Sequence, residues 1–281
     1  MTVQVVTDSG ADIPEQLATD LGIVVVPLTV SFGDESYKDG VELSADQFYQ
    51  RLLQGNMMPI TSQPSVGSFV EAYKNLEGSS NQILSIHLSS KLSGTLNSAI
   101  QAGGMEDLGE SIQFIDSMQA SMGLGFSVIA AAEAAKGGAS LAEAAFVARS
   151  VLDRTRLFIL FDTLEYLQRG GRIGRASALL GSVLQIKPIL TLEDGEIATK
   201  LRIRTFQKGM QRLQQLTEEC GNLEKAAILY TTDPSAARNL ADRLNNRFVG
   251  DSDPLIVRIS PAVGAHGGPG VIGVVCVITE T

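Results

Sequence analysis

The sequence predicts an α/β protein of two domains. The first is built on a mostly parallel sheet with covering helices, the second on a mixed sheet with helices. Three observations carry this. At 281 residues the chain is long enough for two units of about 150 residues. Its N-terminal half alternates short apolar runs with helix-patterned stretches, the order that yields parallel strands. Its C-terminal half places Asp194-Gly195 between two β-like runs, Pro188–Leu192 and Ile197–Arg204, a hairpin signal that demands antiparallel pairing. The expected division is 1–152 and 153–281, with no evident linker or internal repeat.

In chain order, Val3–Thr7 reads as a strand and Ala11–Leu21 as a helix, with Asp12 and Glu15 spaced as a capping box. Ile23–Val30 is expected as one strand and Glu35–Tyr37 as a short one. Ser44 and Gln47 cap a helix that Gly55 ends. Ile83–Leu88 and Ile112–Asp116 are strands, each followed by a helical stretch. Met118–Ala135 is apolar or small almost all round, which predicts a buried helix. Arg156–Leu160 is the next strand, Ala176–Leu184 a short helix, and Lys187–Leu192 opens the hairpin. Phe206–Cys220 is helical and Ala226–Tyr230 a strand; Pro234 follows Asp233 as the first residue of another helix. Leu255–Ile259 and Val271–Ile278 complete the strands.

Composition narrows the function. Hydrophobic residues at 44% and charged residues at 19% describe a folded chain with a large core. The net charge of −9 disfavours a nucleic-acid backbone as partner. Two cysteines, Cys220 and Cys276, and two histidines, His87 and His266, make neither a disulfide framework nor a His/Cys metal cluster. The first ten residues lack a basic segment, and no apolar run approaches the length of a membrane span; a soluble cytoplasmic protein is expected. Charge is uneven: Arg149–Arg212 holds 12 basic and 6 acidic residues, net +6, against −15 elsewhere. A basic segment on an acidic protein suits an anionic ligand or a docking partner.

Nucleotide and hydrolase motifs fail. Gly268–Gly273 spells G-x-G-x-x-G but precedes a β-branched run, where a dinucleotide loop would open a helix. There is no P-loop, no G-x-S-x-G and no H-E-x-x-H. Ser93 with His266 could form a nucleophile–base pair, since triads are geometric, so a free-standing Ser/His esterase or acyltransferase is the competing reading. Hydroxyl clustering is the distinctive feature: Thr61-Ser62-Gln63-Pro64-Ser65, and Ser89-Ser90-Lys91-Leu92-Ser93-Gly94-Thr95 after a strand. Loops at the carboxyl ends of parallel strands converge on a crevice, and hydroxyls with free N–H groups suit a carboxylate or phosphate. Each hydroxyl could instead merely cap its own helix. His266 lies among Gly264, Ala265, Gly267 and Gly268, small neighbours that leave an imidazole uncrowded, whereas His87 sits inside an apolar strand and reads as structural.

In their order, TDSGADIP, PITSQPS, LSSKLSGT, IDS, TLEYLQRGGRIG and AHGGPG resemble the bacterial DegV family across nearly the whole chain. The resemblance implies a protein with no cofactor that buries one long-chain fatty acid, of the palmitate, stearate or oleate type, in a tunnel. It further implies a separate ATP-binding fatty acid kinase subunit that converts the bound acid to an acyl phosphate for phospholipid synthesis. The carboxylate would be bound by Thr61, Ser93 and His266, with Ser62, Gly94, Thr95 and Gly267 as further head-group candidates. Arg169, Arg172 and Arg202 are the implied positions for kinase docking or phosphate handling.

Overall fold

A computed structural model describes residues 2–55, 57–76, 82–106, 109–180, 186–244 and 253–280. Two sheets dominate. The first is parallel throughout, ordered β2-β1-β6-β7, from β1 (Val3–Asp8), β2 (Val24–Val26), β6 (Gln82–His87) and β7 (Ile112–Asp116). The second has six strands, β10-β9-β8-β13-β11-β12: β8 (Thr155–Leu160), β9 (Ile189–Glu193), β10 (Glu196–Leu201), β11 (Leu223–Tyr230), β12 (Leu255–Arg258) and β13 (Ile272–Ile278). Only β11 and β12 run parallel in it, so the sheet is mixed, as expected. A small third sheet, β4-β3-β5, joins β3 (Thr29–Phe32), β4 (Glu35–Lys38) and β5 (Ile60–Ser62).

Helices form three layers around the two main sheets. α3 (Val66–Lys74) and α4 (Thr95–Met105) cover the outer face of the parallel sheet. α5 (Met122–Lys136) and α6 (Leu141–Arg154) are sandwiched between the sheets, α5 touching β1 and β6 on one side and β8 and β13 on the other. That position explains why α5 buries residues all round its circumference. α8 (Phe206–Glu218) and α9 (Pro234–Leu244) cover the far face of the mixed sheet. The remaining helices are α1 (Glu15–Asp20), α2 (Ala45–Gln54), α7 (Glu165–Arg169) and α10 (Pro261–Gly267). The expected division after residue 152 falls in the last turn of α6.

Several local readings hold. Ser44 and Gln47 form a reciprocal capping box, and Gly55 ends α2 at φ +69. Asp194 and Gly195 both take positive φ, the two-residue hairpin geometry. Asp233 caps α9, its Oδ1 accepting the Ser235 and Ala236 amides ahead of Pro234 at the first position.

Others are corrected. Asp12 does not cap α1: a 3₁₀ turn at Ser9–Ala11 is capped by Asp8 at its start and closed by Asp12 in the left-handed region, and α1 starts only after Pro14. The run Ile23–Val30 splits into β2 and β3, which join different sheets, because Pro27 lacks the N–H a continuous strand requires. The buried helix begins at Met122, since Met118 and Ser121 have positive φ. Gly174–Leu179 forms a 3₁₀ turn in place of an α-helix starting at Ala176, and the rest of that expected helix, 181–184, lies outside the described residues. α3, β5, α6 and α10 have no counterpart among the expected elements, although Ser140 and Glu143 cap α6 with a second capping box.

Candidate functional site

In the parallel sheet, chain order steps from β1 outward to β2 and then back across to β6, so the direction reverses between β1 and β6. Ligand crevices form at such a reversal, beyond the carboxyl ends of the strands. The loop after β6 lies there. It folds back on itself, the Ser93 amide donating to the Ser89 carbonyl at 3.1 Å, and delivers Ser93 to the start of α4. The Ser93 hydroxyl accepts the Thr95 amide at 3.3 Å and shares a 2.8 Å hydrogen bond with Thr95 Oγ1. Ser93 therefore does carry a local turn role, and the buried Thr95 hydroxyl is occupied by it.

Thr61 arrives from the opposite side. Bracketed by Pro59 and Pro64, residues 60–62 are too short to stand alone and add as a third strand to β3, with Thr61 facing Val30. Pro261 starts α10 with a missing N–H that costs nothing there, and His266 occupies its last turn. His266 Nε2 meets Thr61 Oγ1 at 2.7 Å across 205 residues of sequence. Glycine permits this approach: any side chain on Gly170 would overlap His266 Nδ1, and one on Gly264 would overlap the Tyr49 hydroxyl.

Burial, with Arg172 nearby, lowers the His266 pKa to about 4. The imidazole is therefore neutral at pH 7, and its Nδ1 is buried without a partner. Because the folded value lies below the unfolded one near 6.5, stability is complete above pH 6.5 and is lost as pH falls toward 4. The loss is at most about 3 kcal/mol. In the ligand-free protein, the His266 ring should titrate near pH 4 by NMR. The stability advantage of wild type over His266→Gln should shrink between pH 6.5 and 4; a ring titrating at 6.5 would contradict this burial.

These groups share one cavity of about 430 Å³, within the usual range of about 300–1,000 Å³ for small-ligand sites. Its polar lining includes hydroxyl, imidazole and guanidinium groups. Thr61 bonds His266, and the Arg172 guanidinium donates to the carbonyls of Gly170 at 2.8 Å and of Leu92, beside Ser93, at 3.2 Å. The rest is largely apolar, with Leu157 and Ile159 of β8, continued by Phe161, and Leu190 and Leu192 of β9. Ile197, Ile259, Val263 and Val271 extend it. The hairpin after β9 is tied to the β6 loop by the Ser89 hydroxyl, which donates to the Gly195 carbonyl at 2.8 Å.

Of the expected site residues, Thr61, Ser62, Ser93, His266, Gly267 and Arg172 line this cavity, and Gly94, Thr95, Arg169 and Arg202 do not. Gly94 instead makes room for Gln63, a further lining residue within the TSQPS segment. Arg169 is exposed and pairs with Glu165 at 2.7 Å, while Arg202 is exposed past the end of β10. Arg172, half-buried on a loop whose Arg169 and Gly171 are exposed, turns its guanidinium to the Gly170 and Leu92 carbonyls. Among the described residues no hydrogen bond joins Ser93 to a histidine, so the nucleophile–base pair an esterase needs is not formed.

An Asp–His–Ser chain does exist elsewhere. Asp8 Oδ2 meets His87 Nδ1 at 2.8 Å, His87 Nε2 meets Ser85 Oγ at 2.7 Å, and Ser85 meets Tyr73 OH at 2.9 Å. All four residues are 0% exposed, so no substrate reaches them and the relay is structural. No group of His, Cys, Asp and Glu suited to a metal occurs among the described residues, nor does a helix long and apolar enough to cross a membrane.

Fold and site together define an α/β protein with a largely apolar cavity beside hydroxyl, imidazole and guanidinium groups. The family model "Uncharacterised protein, DegV family" matches residues 2–279, and the chain belongs to the DegV family. A DegV domain-containing protein of Streptomyces coelicolor is 38% identical over 276 residues, with 97% of each chain covered. Among solved structures, a DegV family protein from Thermus thermophilus described for its fatty acid binding superposes with TM-score 0.92 at 31% identity, covering 99% of this chain and 100% of that one. DegV of Bacillus subtilis, described as a fatty acid binding protein, gives 0.89 at 32% identity, covering 99% of each.

Proposed function

We propose that the cavity holds one long-chain fatty acid, with its carboxylate at Thr61, Ser93 and His266. The observation that carries this reading is the joining of a polar patch to a largely apolar cavity. At about 0.8 kcal/mol per methylene, an acyl chain of about fifteen gains on the order of 12 kcal/mol gross from burial, so the chain retains the ligand and the patch orients it. Neutral His266 contributes a hydrogen bond and no charge, which leaves Arg172 as the cation that compensates the carboxylate. The fatty acids of related structures, stearic acid in one from Eubacterium ventriosum, support the ligand class.

The finer role is presentation of that carboxylate to a separate ATP-binding kinase subunit. A carboxylate oxygen would attack the γ-phosphorus of ATP held by the partner, forming the acyl phosphate and releasing ADP, a supply for phospholipid synthesis. The lack of a nucleotide motif in this chain and the exposed Arg169 and Arg202 in its basic segment support this reading. Lipid extraction and mass spectrometry of the gently purified protein test the ligand: one equivalent of long-chain acid is expected, and no lipid with no uptake of added palmitate would reject it. Thr61→Ala should weaken palmitate binding about ten- to a hundred-fold, the loss of one charge-assisted bond of about 1.5–3 kcal/mol, without emptying the cavity; isothermal titration reads this.

A further inference from the structure

Four segments meet at a buried polar knot: the loop after β1, the turn after β4, the turn before α5 and the start of α10. Asp12 lies at its centre with φ +52. Its Oδ1 accepts the Ser260 amide at 3.0 Å, and its Oδ2 accepts the Ser121 hydroxyl at 2.5 Å. Asp39, 2% exposed, accepts the Ser9 hydroxyl at 2.7 Å and lies against the Ala262 amide. Its second oxygen and the Ser260 hydroxyl are buried without partners.

α10 has an unusual start. Ser260 stands at the N-cap but its side chain caps nothing, and Pro261 has no N–H. Asp12 instead holds the amide of Ser260 itself and Asp39 lies against the Ala262 amide, so carboxylates from two distant segments engage the start of the helix. The helix has seven residues. At about 1.5 Å of rise per residue, His266 lies on the order of 9 Å from Ser260, so a tilt at the start displaces the imidazole. The Tyr49 hydroxyl, donating to the Ile259 carbonyl at 3.0 Å, and the contact of Gly264 with Tyr49 brace the side of α10 and leave its amide end to the aspartates.

We propose that Asp12, with Asp39 beside it, is a positioning residue that seats α10 and so holds His266 against Thr61. The consequence for a bound carboxylate rests on the function proposed above; the seating of His266 does not. Burial raises Asp12 to about 6 and Asp39 to about 7, each pushed further by another aspartate. The groups facing the knot are Asp8 of β1, Glu15 of α1, Tyr49 of α2, Tyr230 of β11 and Arg258 of β12, which also pairs with Asp46. Arg258 is the one cation among them. Because the folded values lie above the unfolded one near 3.8, the stabilisation is complete below about pH 4 and is lost as pH rises through 6 to 7. Above that, two adjacent carboxylates repel and the seat loosens. His266 does not titrate in this range, so a change at its ring between pH 6 and 8 reports on the pair.

The test is NMR of the His266 ring in ligand-free protein, paired with palmitate titration. In Asp12→Ala the His266 midpoint should move up from near 4 by at least about one unit, as the ring leaves its buried seat, and palmitate affinity should fall about tenfold. Asp12→Asn, which can still accept the Ser260 amide, should restore both. A folded Asp12→Ala protein whose His266 titrates as in wild type would overturn the proposal. Should that variant not fold, Asp39→Asn decides: it keeps both Asp12 bonds and removes the neighbouring charge, so the wild-type change at the His266 ring between pH 6 and 8 must shrink and centre on the Asp12 titration near 6, and an unaltered change would overturn the proposal. A wild type that binds no palmitate would defeat the fatty-acid reading and leave the His266 measurement to judge this one.

Discussion

Asp8→Ala should be among the most destabilising single substitutions in the chain, costing about 3–5 kcal/mol against a total stability on the order of 5–15 kcal/mol. The carboxylate is sealed at 0% exposure and serves three donors: His87 Nδ1 at 2.8 Å, the Leu88 amide at 3.1 Å and the Gly10 amide at 3.0 Å. Alanine leaves all three unsatisfied where water cannot replace it. The damage would spread, since the Leu88 amide opens the loop that carries Ser93 and the Gly10 carbonyl receives the Ser121 amide at 2.7 Å. Urea unfolding should show a much lower midpoint for Asp8→Ala, while His266→Ala, which removes a partly buried ring at a cavity, should shift it far less. Equal shifts for the two would refute the distinction between a structural and a functional histidine.

Val263→Trp should nearly abolish fatty-acid binding while leaving the fold intact. Val263 lies on α10, only partly buried, and faces the aliphatic part of the cavity. An indole there occupies the space of about four methylenes. At about 0.8 kcal/mol each that forfeits about 3 kcal/mol, or on the order of a hundredfold in affinity. The chain has no other tryptophan, so fluorescence of the variant reports directly on the cavity: a blue-shifted emission unmoved by added palmitate is expected. Wild-type affinity in a folded Val263→Trp protein would place the acyl chain elsewhere.

Much of the fold is legible in local chemistry. The Asp194-Gly195 turn, the Ser44–Gln47 box and Pro234 at a helix start each specify a backbone conformation on their own. Reading failed where one local pattern has two solutions. Asp12 and Glu15 carry the spacing of a capping box, yet the Asp12 carboxylate is used by Ser121 and Ser260, more than a hundred residues away. The cavity was invisible for a similar reason. β8 is apolar on both faces because Phe158 and Leu160 meet the helices of the far layer while Leu157 and Ile159 line the cavity, and a hydropathy pattern cannot tell a filled face from a hollow one. The hydroxyl loops and the small residues around His266 marked a site, but the pairing of His266 with Thr61 came from resemblance, since 205 residues separate them. The direction of the Arg172 side chain was equally illegible, because the Leu92 carbonyl that receives it lies 80 residues away in sequence.

The most direct measurement of carboxylate binding at this site is the carboxyl resonance of [1-¹³C]palmitate titrated into the protein. One saturable bound signal at one equivalent is expected, displaced from that of the free acid, remaining ionised because Arg172 compensates its charge, and shifted in Thr61→Ala and in His266→Ala. No saturable signal, or a bound signal that Thr61→Ala, His266→Ala and Arg172→Ala all leave unchanged, would contradict the binding of a fatty-acid carboxylate by these residues.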